Sequence, residues 1–124
     1  MRVYLVDDSQ LVRNRLAAFL WKIPGIELVG EAENPSEALT GITRTKPDTL
    51  ILDLELGGES GVDILRQLRT RSARPAVIVF TNHATPEVAK KCLEAGALFF
   101  FDKTNDLDLL KNTLAELAKS PRPC

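Results

Sequence analysis

The stretch Thr49-Leu50-Ile51-Leu52-Asp53-Leu54 constrains this chain more than any other. Consecutive bulky apolar residues read as a strand covered on both faces, the habit of parallel sheets. A carboxylate arrives where that strand ends, and a loop containing Gly57, Gly58 and Gly61 follows. An ionised Asp in such a place needs a cation, hydrogen-bond donors or solvent to offset the cost of burial. In open parallel sheets the carboxyl ends of the strands are also where ligands bind. Two readings of Asp53 follow: a reactive or metal-binding carboxylate, or a capping residue in a strand-to-helix loop.

The same grammar repeats along the chain. Residues 3–6 form an apolar strand closed by Asp7-Asp8-Ser9, and Leu11, Arg15, Leu16, Phe19 and Leu20 then recur at helical spacing over residues 10–21. Residues 26–32 make a more polar strand, expected near a sheet edge. Asn34-Pro35-Ser36-Glu37 carries a cap, a first-turn proline and a Glu three after the cap, opening a helix to about residue 45. After the strand ending at Asp53, residues 60–70 read as a helix and residues 75–81 as a nearly continuous apolar strand. A helix from Thr85-Pro86-Glu87 stops at Gly96. Residues 97–101 form the fifth strand, and residues 106–119 the last helix, presenting Leu107, Leu110, Leu114 and Leu117. Five strands alternating with five helices predict an α/β fold: a doubly wound parallel sheet of order 2-1-3-4-5, flavodoxin-like, with helices on both faces.

That order sets strands one and three side by side and brings four strand ends to one edge. Asp7 and Asp8, Asp53, Thr81 and Lys103 stand there. Carboxylates gathered together repel unless a hard cation lies between them, and all-oxygen ligation suits Mg²⁺ or Mn²⁺. A phosphoryl group entering such a site would meet a metal, a hydroxyl donor and an ammonium, which together stabilise its oxygens. An Asp carboxylate is a competent nucleophile toward phosphorus.

The totals exclude other classes. The 124 residues suit one domain, and 16 basic against 17 acidic side chains, with no basic stripe, argue against direct nucleic-acid binding. No apolar run approaches the roughly 20 residues a membrane-spanning helix needs, and acidic residues appear by Asp7, so no signal-peptide core is present. Two cysteines fit a reducing cytoplasm rather than a disulfide framework. The glycines at 57, 58 and 61 lack the GxxxxGK[ST] spacing of a nucleoside-triphosphate loop.

Taken together, "VDDS" at 6–9, "LILDLELGGESG" at 50–61, "IVFT" at 78–81 and "FFFDK" at 99–103 make the chain resemble the receiver domain of two-component response regulators. The resemblance covers essentially the whole chain, with residues 1–119 as the domain and 120–124 as a short tail. It implies that Asp53 accepts a phosphoryl group from a histidine kinase or a histidine phosphotransfer protein. It also implies that Asp7, Asp8, Asp53 and the backbone carbonyl of Glu55 hold Mg²⁺. Thr81 would hydrogen-bond the phosphoryl oxygen, Lys103 would pair with it, and Phe100 would be the aromatic switch three residues before the lysine.

Three positions depart from the family's pattern. Gly57 replaces a usual proline, which predicts a looser loop; Asn82 follows Thr81 where a smaller residue is preferred and would narrow access; Thr104 replaces a proline after Lys103, so the turn there should differ. His83, the one histidine, reads as a solvated loop residue, and Cys92 as a small core or boundary residue. Within Leu98-Phe99-Phe100-Phe101, period two puts Phe99 and Phe101 together and Phe100 opposite.

The expected function is a phosphorylation-dependent signalling switch. With about five residues beyond the last helix, it would carry no DNA-binding effector and would signal through a protein target docking on the face of the fourth helix, fifth strand and fifth helix, or through a second copy of itself. A phosphorylation-independent interaction module on the same fold is the first alternative. An Mg²⁺-dependent aspartyl phosphatase is the second, disfavoured because Glu55 stands where such enzymes carry a second Asp and the chain leaves little room for a cap.

Overall fold

The structure, a computed structural model, describes residues 1–119; the tail expected at 120–124 lies outside them. Its central sheet has five parallel strands: β1 (Arg2–Val6), β2 (Glu27–Ala32), β3 (Thr49–Leu52), β6 (Ala76–Thr81) and β7 (Phe99–Asp102). They run in the order β2-β1-β3-β6-β7, the predicted 2-1-3-4-5 winding when the five are numbered along the chain. The intervening β4 (Glu55–Leu56) and β5 (Glu59–Ser60) form a separate antiparallel hairpin. Five helices complete the fold: α1 (Gln10–Leu20), α2 (Pro35–Thr45), α3 (Val62–Arg69), α4 (Pro86–Glu94) and α5 (Leu107–Lys119).

The sheet divides two apolar layers. Val3, Leu5, Ile51, Ile78 and Phe80 point to one side, where Leu16 and Leu20 of α1 and Leu110 and Leu114 of α5 cover them. Tyr4, Val6, Leu50, Leu52, Val77 and Val79 point to the other, against Ala38 and Ile42 of α2, Ile64, Leu65 and Leu68 of α3, and Cys92 of α4. Both faces being covered is why β1, β3 and β6 read as unbroken apolar runs. β2, one of the two edge strands, is half-exposed along most of its length, as its polarity predicts.

Local signals set the helix starts. Ser9, Asn34 and Thr85 each accept a first-turn backbone N–H with the side chain, from Val12, Glu37 and Val88 respectively. Some expectations needed adjustment. β7 begins at Phe99 and extends through Asp102, rather than spanning 97–101, because Leu98 N–H reaches back to Val77 O while Thr81 pairs with Asp102. In α1 the buried stripe is Arg13, Leu16 and Leu20; Leu11 is 59% exposed, and Arg15 also faces water.

The loop after Asp53 folds into a hairpin. Gly57 and Gly58 have φ of 61° and 89°, the pair of left-handed values that a type I′ two-residue turn requires, and they close the β4–β5 hairpin. α3 consequently starts at Val62 rather than 60, with Ser60 spent in β5 and its hydroxyl accepting Val62 N–H.

Candidate functional site

Register brings the acidic residues together. Val6 of β1 pairs with Leu52 of β3, so the next residue on each strand, Asp7 and Asp53, emerges at the same height. Asp53 N–H donates to Val6 O at 2.9 Å and Asp7 N–H to Ala32 O at 3.1 Å, extending the ladders one residue past the strands. Asp7 and Asp53 are buried and Asp8 is exposed; one carboxylate oxygen from each lies within 4.8 Å of the others.

Lys103 reaches this cluster from the residue after β7, its main-chain N–H held by Thr81 O at 3.0 Å. Its Nζ donates to Asp7 Oδ2 at 2.6 Å and to Asp53 Oδ2 at 2.9 Å, with the side chain only 12% exposed. Burial alone pulls the ammonium toward deprotonation, but the hydrogen bonds and charges of two carboxylates outweigh it and hold the Lys103 pKa above its usual value. Asp7 moves in the unfavourable direction. Desolvation raises its pKa, aided by the Asp53 charge, and outweighs the hydrogen bonds from Lys103 and from Ser9 N–H, the latter 2.8 Å from Oδ1. One ammonium against three carboxylates leaves the site short of positive charge.

The donor set is therefore the kind that suits a divalent cation: three carboxylates, all oxygen, converging from two loops. Asp8 is steadied from the hairpin, where Gly57 N–H donates to its Oδ2 at 3.1 Å. Gly57 thus supplies a donor that a proline at this position would lack.

The remaining candidates surround this core. Thr81 is fully buried at the end of β6, its Oγ1 accepting His83 N–H at 3.2 Å. Glu55 N–H approaches Asp53 Oδ1 at 3.4 Å, while its exposed carboxylate stands 3.9 Å from His83 Nδ1. Phe100 is half-buried against the layer of α2, α3 and α4, whereas Phe99 and Phe101 stack on the opposite face with centroids 5.8 Å apart. Two departures from the family pattern meet each other: Thr104 Oγ1 lies 3.4 Å from Asn82 Oδ1, linking the loops after β6 and β7. Thr104 N–H also donates to Asp102 Oδ1 at 2.9 Å, a bond no proline makes.

One residue escaped the sequence reading. Arg13 is buried beside the cluster, with a hydrogen bond to the main-chain carbonyl of Asp7. Its signal was present: a charged residue in the buried stripe with Leu16 and Leu20.

A five-stranded doubly wound sheet with clustered carboxylates and a lysine at its carboxyl edge defines a class of α/β domain with an acidic site at the strand ends. The comparisons make the class specific. Residues 3–115 match the family described as response regulator receiver domain, and the chain belongs to it. It is 36% identical over 105 residues to the transcriptional regulatory protein LiaR of Bacillus subtilis, covering 85% of this chain and 50% of that protein. It is 37% identical over 121 residues to protein-glutamate methylesterase/protein-glutamine glutaminase 1 of Carboxydothermus hydrogenoformans, covering 95% and 35%. The chain thus spans half or less of the length of these relatives. Among solved structures, the signal receiver domain of the putative response regulator NarL from Mycobacterium tuberculosis superposes with a TM-score of 0.85 at 26% identity, covering 97% of both chains. Among the described residues no helix is long and apolar enough to cross a membrane.

Proposed function

We propose that this receiver domain, residues 1–119, is a phosphorylation-dependent switch that accepts a phosphoryl group on Asp53. The observation carrying the reading is the convergence of Asp7, Asp8 and Lys103 on that carboxylate. Asp7, Asp8 and Asp53, with the main-chain carbonyl of Glu55, would hold Mg²⁺, whose chemistry is to neutralise charge on the phosphoryl oxygens. A carboxylate oxygen of Asp53 attacks phosphorus of a phosphohistidine; the O–P bond forms, the P–N bond breaks, and the imidazole nitrogen keeps the electron pair and takes up a proton. Lys103, freed from Asp53 when that carboxylate becomes an acyl phosphate, pairs with the new phosphoryl oxygens. Thr81 turns its hydroxyl toward them.

The donor is a histidine kinase or histidine phosphotransfer protein, and the setting is cytoplasmic. The acyl phosphate adds about 1.5 to 2 negative charges, and this must bias a two-state element to be read elsewhere. Phe100, half-buried on β7 two residues before the strand's end, is that element. The output face comprises α4, β7 and α5, where Leu93, Leu98, Leu107 and Leu109 are exposed for a protein target or a second copy of the chain.

Incubation with acetyl phosphate or phosphoramidate should add one phosphoryl mass in Mg²⁺ and none in excess chelator. Asp53→Asn should abolish the adduct. An adduct that forms equally on the Asn variant would show that another residue is the acceptor.

A further inference from the structure

Arg13 occupies a place on α1 where an apolar residue would be expected. Its side chain is 8% exposed, and its guanidinium is spread over three elements. Nε donates to Glu31 Oε1 on β2 at 3.0 Å, Nη2 to Gln10 Oε1 on α1 at 2.8 Å, and Nη1 to the main-chain carbonyl of Asp7. An ion pair between a buried arginine and a half-exposed glutamate contributes little net stability over a well-packed apolar residue at the arginine's place. An apolar residue, however, could not hold the Asp7 carbonyl.

Asp7 is gripped at every polar atom. Its N–H donates to Ala32 O, its carbonyl accepts from Arg13, its Oδ1 accepts Ser9 N–H and its Oδ2 accepts from Lys103. It lies one residue past the end of β1, so the sheet no longer dictates the rotation of its peptide to the helix. Releasing the carbonyl would let the Asp7–Asp8 peptide turn about the Asp7 Cα–C bond, which moves Asp8 and the Ser9 N–H that holds Asp7 Oδ1. We propose that Arg13 is a positioning residue of the metal site. Clamped to Glu31 on β2, it fixes the Asp7–Asp8 peptide, and with it the place of Asp8 and of the Ser9 N–H that orients the Asp7 carboxylate beside Asp53 and Lys103. The inference rests on the reading of the acidic cluster as an Mg²⁺ site and adds a residue that never touches the ion or the phosphoryl group.

The sign of the effect separates positioning from simple charge. A guanidinium near a cation site repels the cation, so if charge were its whole influence, its removal would tighten Mg²⁺ binding. If Arg13 positions Asp7, its removal weakens binding. Lysine keeps the charge but not the fork that spans separate acceptors, so Arg13→Lys should fail alongside Arg13→Met.

The test is Mg²⁺ titration of the full chain, followed by calorimetry and by the rate of phosphorylation from phosphoramidate. Both Arg13 variants should raise the half-saturating Mg²⁺ concentration about tenfold, the low end of what losing a ligand's support costs a metal site, with the rate at saturating Mg²⁺ little changed. In chelator, the Asp7 carbonyl ¹³C resonance should shift while those of Val3 and Leu5 on the same strand hold still. Glu31→Gln, at a half-exposed side chain, removes the anchor's charge without disturbing the core and should give a smaller rise in the same direction; it decides the matter if the Arg13 variants do not fold. Unchanged or tighter Mg²⁺ binding in the folded variants overturns the positioning role while leaving the metal site intact. Wild-type protein that takes up no Mg²⁺ defeats the site reading itself, and this inference with it.

Discussion

Burial works against the charge on Asp7, while two carboxylates hold the charge on Lys103. Because burial raises the Asp7 pKa in the folded chain, the stabilising contribution of its proton is complete below the unfolded value of 3.8. It is lost as pH rises through the raised folded value. A neutral isostere avoids that loss. In chelator, Asp7→Asn should therefore be more stable relative to wild type at pH 7 than at pH 3.5, as read from urea midpoints. Mg²⁺ should invert the ranking at pH 7: wild type gains about 2.7 kcal/mol at a hundred times the dissociation constant, while the variant, short of a ligand, gains much less. Equal Mg²⁺ stabilisation of both proteins would remove Asp7 from the ligand set. Lys103, also raised, follows the same sign at the alkaline end: its contribution is present below pH 10.5 and disappears as pH climbs through its higher folded value.

At the scale of the element, the β4–β5 hairpin is a structural lever on the site. Gly57 joins a left-handed backbone to a donor for Asp8, and a Cβ added there meets nothing within 4 Å. Gly57→Ala should then cost only backbone strain, about 1 kcal/mol, and leave Mg²⁺ affinity near wild type. Gly57→Pro forbids the positive φ and deletes the N–H; it should undo the turn and alter Mg²⁺ affinity through Asp8. Identical titrations for the two variants would mean that the Asp8 contact does not matter. Gly61 is constrained differently. A Cβ there would come within 2.3 Å of the Asp53 carbonyl oxygen, so Gly61→Ala should displace the end of β3 and slow phosphorylation, read as a lower rate of adduct formation at saturating Mg²⁺.

Across the whole molecule, the sheet separates a layer containing α1 and α5 from one containing α2, α3 and α4, and the site lies where both meet the sheet's carboxyl edge. Phe100 packs in the second layer, which includes α4, on the strand paired with the one that carries Thr81. Beryllofluoride, a stable phosphoryl mimic, should therefore perturb backbone amide shifts across residues 85–112 more than those of α2 and Leu28. Changes confined to the loops around Asp8 and Asp53 would sink the output-face reading without touching the phosphorylation chemistry.

Period and punctuation determined most of the architecture. Doubly covered strands must be apolar on both faces, so β1, β3 and β6 announced themselves, and right-handed crossovers then left a winding that put Asp7 beside Asp53. The caps at Asn34 and Thr85, and the opposed faces of Phe99 and Phe100, were legible because each depends on residues close along the chain. The hairpin was not, since two-residue strands carry no period to detect. Nor were the bonds that finish the site: Gly57 to Asp8, Lys103 to Asp7, and Arg13 to Glu31 join residues far apart in sequence. Side-chain reach and strand register decide such contacts, and both exist only once the sheet has formed.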